Sequence, residues 1–171
     1  MKIIFLVGFM GAGKSTIGKK LAKAIGYQFI DSDKEISNQE GVSISELFES
    51  KGESYFRQKE KEFVEQIVNS ENVVIAVGGG LPIYNDLMNE LNEKGITLYL
   101  RVKPSTLLLR LKEGQKKRPL IANLNEEQLE SFIAEKLVER ESIYLKAHLI
   151  IDEPDQKIDR LTHLLHLHQK N

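Results

Sequence analysis

The 171-residue chain is predicted to fold as one α/β domain, a parallel sheet with helices on both faces. Three observations predict it. Short apolar runs alternate with amphipathic stretches from one end of the chain to the other. The run at 73–77, Val-Val-Ile-Ala-Val, is continuously apolar, as in a strand covered on both sides. A glycine-rich segment joins the first apolar run directly to an amphipathic helix.

The elements follow in order. Residues 2–7 read as a buried strand, and 15–25 as a helix with Ile17, Leu21 and Ile25 on one face and Gly26 as its stop. Residues 27–30 form a second strand. Segments 43–50 and 53–69 are helical, with Phe56, Phe63 and Ile67 at helical spacing. After the strand at 73–77 come a helix at 86–93 and a strand at 96–100. Pro104 opens a helix reaching about Leu111. Residues 113–125 show no period and carry Lys116, Lys117 and Arg118. A long helix at 126–145, a strand at 148–151 and a helix at 156–166 close the pattern. Periodicity yields this class but not the order of the strands.

Composition narrows the function. Apolar residues are 41% and charged residues 29%, an ordinary globular balance. A formal net charge of −1 provides no global field for nucleic acid or an anionic membrane. Cysteine is absent, which removes disulfides, thiolate chemistry and Cys-based zinc sites. The apolar start runs straight into glycines without a small-residue cleavage site, so it reads as a strand and not as an export signal. A cytoplasmic protein that binds no nucleic acid and no membrane is expected.

The most specific motif is Gly8-Phe9-Met10-Gly11-Ala12-Gly13-Lys14-Ser15, a full match to GxxxxGK[ST] between a strand and a helix. Its glycines let backbone N–H groups turn toward phosphate oxygens, and the helix N-terminus adds favourable partial charge. Lys14 is expected on the β- and γ-phosphates of ATP and the Ser15 hydroxyl on Mg²⁺. Gly11, Ala12, Gly13 and Thr16 complete the nucleotide contacts. A guanine-binding NKxD box is missing; Asn92-Glu93-Lys94-Gly95 lacks the Asp.

In motor-type ATPases a buried strand ends in an Asp that holds Mg²⁺ through water. Here 73–77 ends in Gly78-Gly79-Gly80 instead. Asp31, after the second strand, is the candidate for that role. Asp33 follows two residues on, and in an extended segment both carboxylates point the same way. One would serve the metal and the other a substrate hydroxyl; alternatively, Asp33 caps the next helix. The triple glycine is either a tight turn or a backbone floor for a small ligand.

Taken together, these pieces resemble the shikimate kinases. The matching residues are GFMGAGKST; Asp31-Ser32-Asp33; Gly52-Glu53-Ser54-Tyr55-Phe56-Arg57 with Glu60; Gly78-Gly79-Gly80; Lys117-Arg118-Pro119-Leu120; and Arg140 with Tyr144. They occur in the family's order over nearly the whole chain. The resemblance implies a three-layer α/β/α P-loop kinase of nucleoside-monophosphate-kinase type. Its five-stranded parallel sheet would run 2-3-1-4-5, with a helical substrate-binding subdomain at about 33–61 and a lid at about 113–125. It implies transfer of the ATP γ-phosphoryl group to the 3-hydroxyl of shikimate, by a monomer, with Mg²⁺ as cofactor, in aromatic amino-acid biosynthesis.

Residue roles come with the resemblance. Arg57 and Arg140 would hold the substrate carboxylate, since guanidinium pairs with it bidentately. Glu60 would orient Arg57 across one helical turn. Asp33 would accept from the ring hydroxyls and act as base, and Asp31 would hold Mg²⁺ through water. Gly79 and Gly80 would meet substrate through backbone N–H groups. Phe48, Phe56, Pro119 and Leu120 would supply apolar walls. Lid closure would bring Arg118 onto the γ-phosphate, Arg110 would stack on adenine, and Tyr144 would pack near Arg140.

Two positions depart from the family pattern. Val77 stands where Thr or Ser often precedes the triple glycine, and the segment 151–155 lacks a basic partner of its own. His163, His166 and His168 read as a solvated helix end. Two other functions compete. A gluconate kinase has the same fold with a different acceptor. A non-catalytic nucleotide-binding module would need the phosphate loop but not Asp33 or the paired arginines.

Overall fold

The computed structural model describes residues 3–67, 70–118 and 120–168, the side chain of Lys117 excepted. Five strands, β1 (Ile3–Val7), β2 (Gln28–Asp31), β3 (Val73–Ala76), β4 (Gly95–Arg101) and β5 (Leu149–Asp152), form one parallel sheet in the order β2-β3-β1-β4-β5. The helices are α1 (Lys14–Ile25), α2 (Ser32–Glu40), α3 (Ile44–Gln66), α4 (Leu87–Lys94), α5 (Pro104–Lys112), α6 (Glu126–Tyr144) and α7 (Ile158–His168).

Alternation along β1 divides the core in two. Ile4 and Leu6 pack with Leu21 of α1, Leu107 of α5, Ile133 of α6 and Leu161 of α7. Ile3, Phe5 and Val7 pack on the opposite face with Leu47 and Phe63 of α3, Leu91 of α4 and Tyr144. β1 is buried along its whole length, as its unbroken apolar run requires.

Register sets the height of the site. Leu6 pairs with Ala76, and Ala76 pairs with Asp31. The segments that follow β1, β2 and β3 therefore leave the sheet at one level, beside the central strand where the order reverses. Open α/β sheets bind ligands there.

Most boundaries agree with the sequence reading to within one or two residues. The expected helices 43–50 and 53–69 join as α3, bent at Gly52, where φ 81° and ψ 171° are incompatible with a helix. α3 starts on a capping box, with the Ser43 side chain accepting from Glu46 N and Glu46 accepting from Ser43 N. β2 extends one residue further than expected, to Asp31. A one-turn 3₁₀ segment, Glu153–Asp155, precedes α7. Among the described residues no helix is long and apolar enough to cross a membrane.

Candidate active site

The loop between β1 and α1 has Gly11 and Gly13 at φ 81° and 93°, in the left-handed region. Gly13 is the N-cap of α1. With no side chain to cap it, the helix directs its first N–H groups to whatever occupies the loop. Lys14 folds back across this mouth: Nζ donates to the carbonyls of Gly8 at 2.7 Å and Phe9 at 2.9 Å. Burial lowers its pKa to about 8, against the pull of Asp33 and Asp31 and with the help of Arg140 and Arg118.

The two aspartates meet differently from expectation. They do not lie on one side of an extended segment. Asp31 closes β2 and caps α2, its Oδ1 accepting from Lys34 N at 3.4 Å. Its Oδ2 accepts from the Ser15 hydroxyl at 2.6 Å. Asp33 is not the cap: α2 begins at Ser32, directly after the strand, so Asp31 takes the N-cap and Asp33 lies in the first turn. Burial, then the neighbouring Asp31 charge, pushes its carboxyl above the usual range. Ser32 between them is fully buried and accepts from Gly78 N at 2.9 Å, tying α2 to the triple glycine.

Arg57 and Glu60 of α3 are both buried. Arg57 Nη1 donates to Glu60 Oε2 at 2.6 Å, as the spacing of three predicts. Arg57 Nε and Nη2 both donate to Glu53 Oε1, at 3.2 and 2.9 Å. A guanidinium has five N–H groups, so among the described residues one on each terminal nitrogen stays available. Glu60 Oε1 finds no hydrogen-bond partner among the described residues. Burial raises the Glu60 pKa to about 7 even beside Arg57.

The triple glycine is explained by close approach. A Cβ at Gly78 would lie 2.6 Å from Asp33 Oδ1 and 2.8 Å from Glu60 Oε1. At Gly80 it would lie 2.6 Å from Arg57 Nη1. The expectation of a floor for the ligand thus gains a second reason: these glycines make room for the polar side chains themselves. Tyr144 secures the middle one, its hydroxyl donating to Gly79 O at 2.5 Å.

Two cavities converge on these groups. One, about 760 Å³, lies over the phosphate loop and is lined by Gly11 to Thr16, Asp31, Arg110 and Glu153. The other, about 590 Å³, is lined by Phe48, Phe56, Arg57, Glu60, Leu120 and Arg140. They share Met10, Asp33, Gly78, Gly79 and Arg118. The expected site residues line at least one of them, except Tyr144, which lines neither, and Pro119, which lies outside the described residues. Phe48 and Phe56 pack with ring centroids 4.9 Å apart. Arg140 lies 5.7 Å from the Phe9 ring centroid. Arg118 Nη1 is buried and finds no partner among the described residues.

Sequence reasoning passed over several residues. Met10 faces both cavities, and Lys34, Ser37 and Ser45 add polar wall to the second. None carries a motif of its own. The segment 151–155 finds its basic partners elsewhere in the fold. Asp152 pairs with Arg101 at 2.7 Å, and Glu153 stands 3.8 Å from Arg110. Arg110 Nη1 also reaches the carbonyls of Gly11 and Ala12 at 3.3 and 3.4 Å.

Comparison with known proteins gives the family. The family model for shikimate kinase matches residues 10–167. A shikimate kinase of Parabacteroides distasonis is 41% identical over 152 residues, 89% of this chain and 88% of its own. The crystal structure of shikimate kinase from Bacteroides thetaiotaomicron superposes with a TM-score of 0.91 at 35% identity, covering 96% of this chain and 98% of that one. Shikimate kinase from Acinetobacter baumannii in complex with shikimate gives 0.85 at 34% identity, with 100% and 94% covered. A gluconokinase from Sinorhizobium meliloti, at 17% identity and TM-score 0.57, shares the fold alone. With the phosphate loop, the buried Arg57–Glu60 pair and the glycine-walled cavity in place, the chain belongs to the shikimate kinase family of ATP-dependent kinases.

Proposed function

We propose that this chain transfers the γ-phosphoryl group of ATP to the 3-hydroxyl of shikimate, giving shikimate 3-phosphate and ADP. The observation that carries the reading is the meeting of the two cavities at Asp33 and Arg118. A phosphate held by the loop and a hydroxyl held in the second cavity come together there, and positioning is most of what phosphoryl transfer asks of a protein.

The loop N–H groups and Lys14 hold the β- and γ-phosphates, Lys14 exchanging its two carbonyl acceptors for phosphate oxygens. Ser15 Oγ and the carboxylate of Asp31 form an all-oxygen donor set at the cavity edge, which fits Mg²⁺, Asp31 acting through water. Bound there, the ion would supply charge neutralisation at the phosphates. Arg140 and the free N–H groups of Arg57 take the substrate carboxylate, which orients the ring. Gly79 and Gly80 add backbone N–H contacts.

Asp33 accepts from the attacking hydroxyl. As the new oxygen–phosphorus bond forms and the bond to the ADP oxygen breaks, the hydroxyl proton passes to Asp33, whose raised proton affinity suits it to receive it. Arg118 carries an N–H that has no partner among the described residues to the γ-phosphoryl oxygens as their charge spreads. Residues 33–61 act as the substrate-binding subdomain and 113–125 as the lid, with Arg110 on the nucleotide base.

An ADP-release assay with shikimate, gluconate and nucleoside monophosphates as acceptors tests the reading. Turnover is expected with shikimate alone, and Arg140→Ala should raise its KM while leaving that of ATP. Turnover with gluconate and none with shikimate would overturn it.

A further inference from the structure

We infer that Tyr84 is a positioning residue for shikimate recognition: it fixes the plane of the Arg57 guanidinium and so determines how the carboxylate is met. The inference rests on the reading of Arg57 as a carboxylate-binding group.

The Arg57 guanidinium carbon lies 4.5 Å from the centroid of the Tyr84 ring, within the range of a cation–π contact. The Tyr84 hydroxyl donates to Glu53 Oε1 at 3.1 Å, the oxygen that receives both Nε and Nη2 of Arg57. Tyr84 therefore touches Arg57 directly and also steadies the half-exposed carboxylate that grips it. Glu60 holds Nη1 from a third direction. Glu53, Glu60 and the Tyr84 ring together constrain the guanidinium plane, and with it the direction of its two remaining N–H groups.

The chain path explains how one residue reaches this place. Gly80 lies so near Arg57 that a Cβ there would stand 2.6 and 2.7 Å from its terminal nitrogens. Leu81, fully buried, starts a one-turn 3₁₀ segment, Leu81–Ile83, closed by Ile83 N to Gly80 O at 3.0 Å. Tyr84 is its C-cap. The segment that walls the substrate cavity thus turns once and returns to the same arginine. Because Tyr84 is 38% exposed, its removal opens no core cavity.

A carboxylate fork tolerates little misalignment, since both N–H···O bonds depend on the guanidinium plane. Removing the ring takes away one face of support for that plane and loosens Glu53, which grips its edge, so binding must restore part of the alignment. The cost falls on shikimate affinity and spares the phosphate loop.

The test is steady-state kinetics and shikimate calorimetry on Tyr84→Leu, Tyr84→Phe and Arg57→Lys. Tyr84→Leu should raise shikimate KM and Kd by about tenfold, the scale of a partly desolvated cation–π contact. ATP KM should not move. Tyr84→Phe, which keeps the ring, should recover most of the affinity. Unchanged shikimate affinity in Tyr84→Leu, or an equal rise in both KM values, overturns the inference. If Arg57→Lys weakens shikimate while Tyr84→Leu does not, the positioning role fails and the carboxylate reading stands. If neither variant weakens it, both fail.

Discussion

The hydroxyl of Ser15 lies 2.6 Å from Oδ2 of Asp31, joining the first turn of α1 to the last residue of β2. An ion ligated by Ser15 would have Asp31 one water away. Replacing Asp31 with Asn removes the charge but keeps the shape. An outer-shell partner of this kind is worth about 10- to 100-fold in metal affinity. Asp31→Asn is therefore expected to raise the Mg²⁺ concentration for half-maximal activity by that factor, with shikimate Kd unchanged. A Mg²⁺ titration at fixed ATP checks it, and an unshifted midpoint would remove Asp31 from the metal.

Lys14 has its pKa lowered by burial to about 8. Below that pH the folded protein carries a desolvated charge at full cost. As pH rises from about 8 toward the ordinary 10.5, the folded state releases its proton before the unfolded state does, and stability gains. A phosphate anion beside Nζ reverses the shift, because it favours the charged amine. Nucleotide binding at a pH just above 8 should therefore take up protons. Calorimetry in two buffers of different ionisation enthalpy measures the uptake. Lys14→Met should remain folded, lose phosphoryl transfer and lose the uptake. Proton release by the parent protein would contradict the assignment.

Glu60 shows the opposite linkage. Its pKa is raised from 4.5 to about 7, with burial as the main cause. Between those values the folded state binds more protons than the unfolded one, so this group's contribution declines as pH rises through that window. Glu60→Gln cannot titrate. Its Tm, compared with the parent protein, should improve from pH 5 to pH 8, whatever the offset from losing the Arg57 pair. Thermal unfolding at both pH values decides this, and a difference constant with pH would mean that Glu60 stays ionised throughout.

Arg118 lines both cavities and holds a buried N–H without a partner among the described residues. A donor that meets charge only as it develops raises kcat without tightening the ground state. Arg118→Ala should lower kcat by about 10²- to 10³-fold and leave shikimate Kd nearly unchanged. A rise in ATP KM with kcat intact would instead make it a ground-state phosphate anchor.

What could be read from the sequence was what is local. The phosphate loop is eight consecutive residues, so Lys14 and Ser15 are placed by spacing alone. Arg57 and Glu60 share a helical turn, and a separation of three predicts their contact. The division between Asp31 and Asp33 was left open because it depends on where α2 begins: a start at Ser32 makes Asp31 the cap, and a start two residues later would make it Asp33. The strand order came from family resemblance, since periodicity carries no information about neighbours. Contacts between distant segments left no trace. Tyr84 reaches Glu53 across 31 positions, and Tyr144 reaches Gly79 across 65.

Gly78 and Gly80, described above as room for Asp33, Glu60 and Arg57, also limit how this enzyme can change. A side chain at either position would collide with those three groups, so that wall of the cavity is closed to variation. Room for variation lies across the pocket, on α2 and the first half of α3, where Lys34, Ser37, Ser45 and Phe48 face the cavity and are not among the atoms nearest a Cβ at Gly78 or Gly80. An engineer seeking a different acceptor would start from that wall, and an inhibitor that lies flat on the bare backbone addresses the wall least able to escape it.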